Sequence, residues 1–202
     1  MSSFTPTETR AVSMLATLYV VRMLGLFMVL PLIAVYSADM TGATPFLLGL
    51  AVGAYGLTQS TLQIPMGWLS DRIDRRWVIV FGLSLLMLGS VVAALSSSIW
   101  GVIAGRFLQG AGAIASATMA LVADYTRVEQ RAKASAIIGG SIAIAFGLAL
   151  VLGPTFANFG GLQGVFSVTA LLAAAGIGVV CFLPKPNRRA AASRDAAVGF
   201  QR

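Results

Sequence analysis

The sequence predicts an all-α membrane protein with six transmembrane helices, and the first observation behind this prediction is composition. Of the 202 residues, 57% are hydrophobic and 10% are charged, whereas a soluble domain carries about 25% charged residues. The mean hydropathy of +0.87 agrees with this deficit. Too little polar surface is available to cover a particle in water, so the lipid bilayer is the expected solvent.

The second observation is a series of apolar runs, each long enough to cross a ~30 Å hydrocarbon core as a helix at 1.5 Å per residue. Strands are not expected, because membrane strands need a closed barrel and alternating polarity. Residues 1–10 are predicted to form a polar tail, 11–183 the transmembrane domain, and 184–202 a linker or tail. The predicted spans are 11–36, 45–68, 77–96, 99–122, 134–157 and 162–183.

The distribution of lysine and arginine gives the third observation and predicts the orientation. Of 14 basic residues, only Arg22 and Arg106 lie within spans, and the loops 37–44, 96–99 and 158–162 contain none. All the others fall in the tails and in the loops after the second and fourth spans. Basic loops stay in the cytoplasm, so both termini are predicted to be cytoplasmic.

Composition also argues against several classes of function. The chain has no histidine and a single cysteine, Cys181, so it offers no internal disulfide, no His-based metal site and no Ser-His-Asp or Cys-His triad. Without a nucleophile–base set or paired carboxylates within the spans, we expect no enzyme, no metal and no cofactor. The net charge of +7 comes from short clusters, which favours anionic lipid headgroups over nucleic acid as a partner.

Residues 67–76, GWLSDRIDRR, form the most distinctive local feature, with five charged side chains in the six residues 71–76. Composition alone favours an ordinary basic turn, because any multispan protein has short basic loops. The spacing of the residues favours a functional loop. A carboxylate just beyond a span can accept from the N-terminal amides of another helix or pair with an arginine.

That spacing resembles the loop motif between helices two and three of the major facilitator superfamily, G-x-L-a-D-r-x-G-r-r. Asp74 stands where glycine is usual. The fourth span also resembles the family, because RFLQGAG at 106–112 follows its R-x-x-q-G-x-g motif. The matching loop positions are Gly67, Leu69, Asp71, Arg72, Arg75 and Arg76.

Three further stretches extend the resemblance over nearly all of residues 10–185. Asp124 with RAKA at 131–134 is similar to the family's D…R-x-K-a loop. Gly147 and the pair 153–154 follow the G…G-P part of its antiporter motif. RMLGLFMVLP at 22–31 is similar to the YajR-type subgroup.

The resemblance implies one half of a twelve-helix secondary transporter, built as a three-plus-three inverted repeat, with proton-coupled export by alternating access. It implies that Asp71 meets a helix terminus of the second half when the transporter is open outward. It also implies that Arg75 pairs with Asp124 within the first half. Gly67, Arg72 and Arg76 complete this gate motif. The positions expected to serve helix packing or to act as hinges are Gly110, Gly112, Gly147, Gly153 and Pro154.

A second set of residues is predicted to contact substrate or to take part in ion coupling. A charge within a span is costly and faces a cavity or a partner. Such a charge contacts substrate, balances a proton-carrying acid, or makes structural bonds inside the bundle, and these interpretations stay open. The candidates are Arg22, Phe27, Tyr55, Gln59, Gln63, Arg106 and Gln109, of which Tyr55, Gln59 and Gln63 share one helix face.

Six helices are half of the family fold, so the expected partners are a second six-helix half, membrane lipid, a small-molecule substrate and protons. Three arrangements stay open: an N-terminal fragment of a longer protein, a homodimer of half-transporters, and a membrane bundle without transport. The first is favoured because 184–202 resembles an interdomain linker. A bacterial inner membrane is the expected location. The sequence does not identify the substrate.

Overall fold

A computed structural model of the chain describes residues 4–36 and 40–183, so the expected linker 184–202 lies outside the described residues. Within those two ranges every regular element is a helix, apart from one isolated bridge between Thr41 and Ser98. The helices are α1 Pro6–Tyr36, α2 Pro45–Arg72, α3 Arg75–Leu95, α4 Ile99–Ala111, α5 Ala115–Tyr125 and α6 Val128–Cys181.

Four helical stretches in the described residues are long and apolar enough to cross a membrane: Pro6–Tyr36, Arg75–Leu95, Ile99–Tyr125 and Val128–Cys181. Helix α2 has 28 residues, which is about 42 Å and long enough to cross as well. It is less apolar because the segment 58–63, TQSTLQ, places five polar side chains near its middle.

Helix α1 begins at Pro6, so part of the segment predicted as a tail is helical. The backbone N–H of Glu8 donates to Thr5 Oγ1 at 3.3 Å, and the backbone N–H of Thr5 donates to Glu8 Oε2 at 2.8 Å. This reciprocal pair is a capping box. The segment TPTE at 5–8 carries the signal, with Pro6 at the first helical position, where its missing N–H is not needed.

Glu8 also ties this end of α1 to the connection between α5 and α6. Its carboxylate accepts from Arg127 three times, from the backbone N–H at 2.9 Å, from Nε at 3.0 Å and from Nη2 at 3.1 Å. Glu8 is only 4% exposed. The hydrogen bonds with Glu8 raise the pKa of Arg127 above its ordinary value, because they favour the charged guanidinium.

The fourth predicted span is interrupted, which corrects the prediction of one helix over 99–122. Helices α4 and α5 are separated by residues 112–114, and the N–H of Gly112 donates to Gln109 O at 3.2 Å. A Cβ on Gly112 would overlap the carbonyl oxygen of Gly82 on α3. Glycine at this position therefore lets two backbones touch where the helix ends.

Helix α6 has 54 residues, which would extend about 80 Å if it were straight, more than twice the hydrocarbon core. Its backbone leaves the helical region at Gly160 and Gly161. Gly161 has a φ of 58° and a ψ of −152°, a conformation that glycine adopts without a Cβ clash. The predicted connection 158–162 contains this break, and we refer to 128–159 and 162–181 as the first and second parts of α6.

The chain reverses direction at this break. A Cβ on Gly153, in the first part, would lie 3.2 Å from the carbonyl oxygen of Met28. Thr169, in the second part, donates from Oγ1 to the carbonyl oxygen of Gly25 at 3.3 Å. In a straight helix, positions 153 and 169 would be about 24 Å apart. Their contacts on α1, at positions 28 and 25, are only about one turn apart. Both parts of α6 therefore pack beside α1.

Two apolar cores lie at different levels of the helices. The first contains Leu15, Ile79 and Leu121 and extends towards the 67–76 loop. The second contains Met28, Ile99 and Phe166 and lies towards the other end. Along α1 the buried members of the first core end at Tyr19 and those of the second begin at Met28. Arg22 lies between them.

Candidate gate loop and interior polar network

Arg75 is the centre of the charged loop 67–76, named here the gate loop. Its Nη1 lies 2.5 Å from Asp124 Oδ2 and donates to the carbonyl oxygen of Ala120 at 2.9 Å. Its Nη2 donates to Asp71 Oδ1 at 3.2 Å. The side chains of Arg75 and Asp124 are 20% and 22% exposed, whereas that of Asp71 is 68% exposed. The structure thus joins three gate residues and leaves one carboxylate open to a partner.

Asp74 has a structural role that explains the departure from the family pattern. It is the N-cap of α3, and its Oδ1 accepts from the backbone N–H of Arg76 at 3.1 Å. Its φ of −63° is a conformation open to any residue. The turn therefore does not require glycine here, and aspartate is among the strongest N-caps.

The remaining gate residues pack against neighbouring aromatic and small side chains. Arg76 donates from Nη2 to the hydroxyl of Tyr125 at 2.9 Å. The guanidinium of Arg72 stacks 3.7 Å above the ring of Trp68, a cation–π contact. A Cβ on Gly67 would lie 3.1 Å from Ser116 Oγ, so the glycine permits α2 and α5 to approach. Sequence reasoning missed Tyr125, which follows Asp124 directly.

Four of the seven cavity candidates form one buried network with Ser90 of α3. Arg106 donates from Nη1 to Gln109 Oε1 at 2.9 Å and from Nε to the carbonyl oxygen of Ala51 at 3.3 Å. Gln109 donates from Nε2 to Ser90 Oγ at 2.7 Å. The Arg106 guanidinium lies 4.7 Å from the centre of the Tyr55 ring. We name this the interior polar network; its members are Arg22, Tyr55, Ser90, Arg106 and Gln109.

Arg22 joins the network to the break between α4 and α5. Its Nη2 donates to the carbonyl oxygen of Gly112 at 2.9 Å and to the Tyr55 hydroxyl at 3.3 Å. The last carbonyls of a helix have no partner within the helix, and a cation at that end is favourable. Arg22 thus acts as a C-terminal cap where a helix ends inside the bundle.

Burial separates the network from any open surface of this half. Arg22, Arg106 and Gln109 are 2%, 1% and 1% exposed, and Tyr55 is 6% exposed. Residues that line an open cavity between two halves would be exposed in one half alone. The structure therefore gives these four residues structural partners, and a contact with substrate stays a prediction. Ser90 was missed, and its only signal was a hydroxyl within an apolar span.

Three other cavity candidates are partly exposed and lie apart from the network. Phe27 makes an edge-to-face contact with Phe146 of α6 at 5.1 Å between ring centres. Gln59 and Gln63 lie on α2, partly exposed. Gln59 Oε1 is a buried atom without a hydrogen-bond partner. The seven candidates do not form one surface.

The packing candidates also divide into two groups. Gly110, Gly112 and Gly153 each pack tightly against the backbone of another helix. A Cβ on Gly110 would overlap the Tyr55 carbonyl oxygen, and those on Gly112 and Gly153 would meet the carbonyl oxygens of Gly82 and Met28. Nothing lies within 4 Å of the Cβ position of Gly147. The backbone is helical at Gly147 and at the exposed Pro154, and a hinge role for either residue stays a prediction.

Replacing Arg22 by alanine is expected to lower the free energy of unfolding by about 1.5–3 kcal/mol, because hydrogen bonds from a charged donor are lost. Thermal unfolding in detergent, followed by circular dichroism, measures the change. The exposed Arg10, on the same helix, provides the control Arg10→Ala, which should stay within about 0.5 kcal/mol. Unchanged stability of Arg22→Ala would contradict the capping role and favour the cavity interpretation.

Comparison with known proteins places the chain in a family. The model of the Major Facilitator Superfamily matches residues 15–200. The chain belongs to the major facilitator superfamily, which confirms the family predicted from the gate loop and RFLQGAG. Together with the four apolar helical stretches, this establishes an integral, multi-pass membrane protein.

Relatives with known names are transporters. The chain is 51% identical over 179 residues to the inner membrane transport protein YajR of Escherichia coli (strain K12), covering 89% of this chain and 39% of that protein. It is 31% identical to the Escherichia coli tetracycline resistance protein, class B, covering 76% of the chain and 38% of that protein. The chain therefore spans about two fifths of the length of the curated relatives it matches.

Solved structures show the same fold. The human organic anion transporter MFSD10 superposes with a TM-score of 0.73 at 22% identity, covering 89% of this chain and 48% of that chain. A bacterial homologue of the human lysosomal transporter Spinster gives a TM-score of 0.71 at 17% identity, covering 91% and 44%. At these identities the likeness concerns the fold.

Proposed function

We propose that this chain is the N-terminal half of a secondary active transporter that exports a small molecule in exchange for protons by alternating access. In this proposal the chain crosses the membrane six times, with α4 and α5 forming one span and the two parts of α6 forming two, and both termini are cytoplasmic. The asymmetry of lysine and arginine supports this topology. The name of the Escherichia coli relative supports an inner-membrane location.

A second six-helix half completes the substrate pathway. The coverage of 39% of the first relative supports this, because nearly all of the chain aligns and more than half of the relative is left over. In the alternating-access mechanism the two halves rock about a central site. The open faces of Gly53 and Gly147, with nothing within 4 Å of their Cβ positions, are suited to close contact with that half.

The observation that carries the proposal is the arrangement of the gate loop. Arg75 is bound by Asp124, Ala120 and Asp71, while Asp71 remains 68% exposed. An exposed carboxylate held in a fixed direction can accept hydrogen bonds from the N-terminus of a helix in the other half. Forming and breaking that contact shifts the balance between the outward-open and inward-open states.

Proton coupling requires a titrating acid. In the described part of the chain the acids are Glu8, Asp71, Asp74, Asp124 and Glu129, all at helix ends or in loops. The coupling acid therefore belongs to the second half, or the gate acids themselves titrate. Either arrangement is compatible with a transporter.

A membrane bundle without transport, or a homodimer of two such halves, is the second candidate. The apolar surface on α2, with Phe46 and Ile64 78% and 80% exposed, offers area for self-association. A homodimer predicts that transport by the 202-residue chain alone requires two copies. Cross-linking in vesicles distinguishes this case from a monomer.

The proposal is tested with the longer protein in proteoliposomes that contain a pH-sensitive dye. Compounds of different classes, including tetracycline, are added after a pH gradient is imposed. A transported compound is expected to cause proton movement in the direction opposite to its own movement. The change in dye signal should vanish when an ionophore removes the pH gradient. Accumulation without a gradient, or no proton movement with any compound, would contradict proton-coupled export.

A further inference from the structure

An apolar groove runs between α3 and the second part of α6, away from the gate loop and the interior polar network. It has a volume of about 410 Å³, and the lining is almost wholly apolar. We name it the α3–α6 groove. Its lining residues are Met87, Val91, Ala94, Leu95, Ser167, Ala170, Leu171 and Ala174.

The shape of the groove follows from alternating small and large side chains. Ala94 and Ala170 are partly buried, whereas Leu95 and Leu171 are 82% and 71% exposed. Ala94 and Ala170 therefore form the floor, and Leu95 and Leu171 form the rims. From 87 to 95 the groove follows α3 for about 12 Å, close to the ~15 Å depth of one leaflet's hydrocarbon.

A group of polar side chains lies beside the Leu95 end of the groove. Beyond Leu95, Gln163 donates from Nε2 to the carbonyl oxygen of Ser96 at 3.4 Å, and Ser96 Oγ donates to the carbonyl oxygen of Ser98 at 2.9 Å. Trp100 follows and is 60% exposed. Exposed tryptophan beside hydroxyl and amide groups is typical of the membrane–water interface. The groove therefore extends from the interface into one leaflet.

We propose that the α3–α6 groove binds one acyl chain of a phospholipid whose headgroup lies beside Ser96 and Gln163. Both walls belong to stretches apolar enough to span the bilayer, so acyl chains are the surrounding solvent. Because α3 begins in the gate loop and ends at Leu95, the lipid belongs to the leaflet opposite that loop.

A protein helix fits this groove less well than an acyl chain. A helix with its side chains is about 10–12 Å in diameter, whereas the floor of the groove is formed by single alanines between neighbouring leucines. An acyl chain is narrower and flexible, and it can bury its methylenes between the leucine rims. This inference does not depend on transport, so a chain that binds lipid here without transporting would leave it intact.

The test uses the full 202-residue chain in vesicles of phosphatidylethanolamine and phosphatidylglycerol. A phosphatidylethanolamine with a photoreactive diazirine in its acyl chain is the probe, and labelled peptides are identified by mass spectrometry. We expect label on the groove walls that unlabelled phosphatidylethanolamine competes away. The exposed Leu148 and Val151 of the first part of α6 serve as reference surface, where competition should be weak.

Filling the groove provides the decisive variant. Ala174→Phe is expected to reduce groove labelling about tenfold, because a ring on the groove wall displaces about two methylenes of the bound acyl chain and weakens binding by that factor. Ala175→Phe, at a position that is exposed like Ala174 but does not line the groove, should leave labelling unchanged. Thermal unfolding of both variants checks the fold.

Three outcomes would overturn the proposal. The first is equal, non-competable labelling of the groove and of the reference surface. The second is retention of groove labelling in Ala174→Phe when that variant unfolds at the same temperature as Ala175→Phe. The third is cross-linking of the groove walls to a second copy of the chain in place of lipid. If Ala174→Phe misfolds, Ala170→Phe replaces it in the same comparison.

Discussion

Replacing Asp71 by asparagine in the full-length transporter is expected to lower the transport rate about tenfold while the amount of folded protein stays unchanged. A tenfold change corresponds to about 1.4 kcal/mol, a reasonable value for one charge-assisted contact at a helix N-terminus. Asp71 is 68% exposed, and among the described residues it forms its ion pair with Arg75 at 3.2 Å. Removing its charge therefore leaves the fold of this half intact.

The gate loop contains a matched control for this change. Asp74→Asn removes the same charge three residues away, and asparagine caps a helix about as well as aspartate. The N-cap bond to the backbone N–H of Arg76 is therefore retained. We expect near-normal transport by Asp74→Asn. Transport is measured as proton-coupled flux in proteoliposomes, with a compound identified as above.

A second variant separates the gate contact from the local ion pair. Asp124→Asn removes the partner that lies 2.5 Å from Arg75 Nη1, so the partly buried guanidinium loses its closest negative charge. We expect lower transport and also lower stability of this half. Near-normal transport by Asp71→Asn, or an equal loss with Asp74→Asn, would contradict the gate role of Asp71.

The sequence predicted the helical regions well because each apolar run had to be long enough for the bilayer. It did not predict the end of α4 at 111, since RFLQGAG at 106–112 contains no proline and lies within a longer apolar run. Gly112, where the helix ends, packs closely against the backbone of Gly82 of α3, a contact between residues 30 positions apart. Hydropathy along the chain carries no information about such a contact.

The gate loop and the interior polar network differ in how far sequence could predict them. The Arg75–Asp124 pair was implied by spacing within a family motif, and the structure contains that contact. The position of Arg22 depends on which side of α1 faces the break between α4 and α5. Helical periodicity gives residues that share a face, but it does not say whether that face meets a neighbouring helix or a cavity.

A tight backbone contact joins α3 and α4 at Gly89, and Gly89→Ala is expected to lower the free energy of unfolding by about 3 kcal/mol. A Cβ on Gly89 would lie 2.5 Å from the carbonyl oxygen of Gly105 and 2.7 Å from the backbone nitrogen of Gln109. Both obstacles are backbone atoms, so the helices must move apart. That movement also strains the 2.7 Å bond between Gln109 and Ser90.

Gly53→Ala is the matched control, because it adds the same methyl group inside a helix where nothing lies within 4 Å. In the 202-residue chain it should raise stability by about 0.5–1 kcal/mol, since alanine loses less backbone entropy in a helix. Thermal unfolding in detergent measures both variants. Equal stability of Gly89→Ala and the unmodified chain would mean that α3 and α4 are not in backbone contact. In the longer protein, a loss of stability in Gly53→Ala would instead place this face of α2 against the second half.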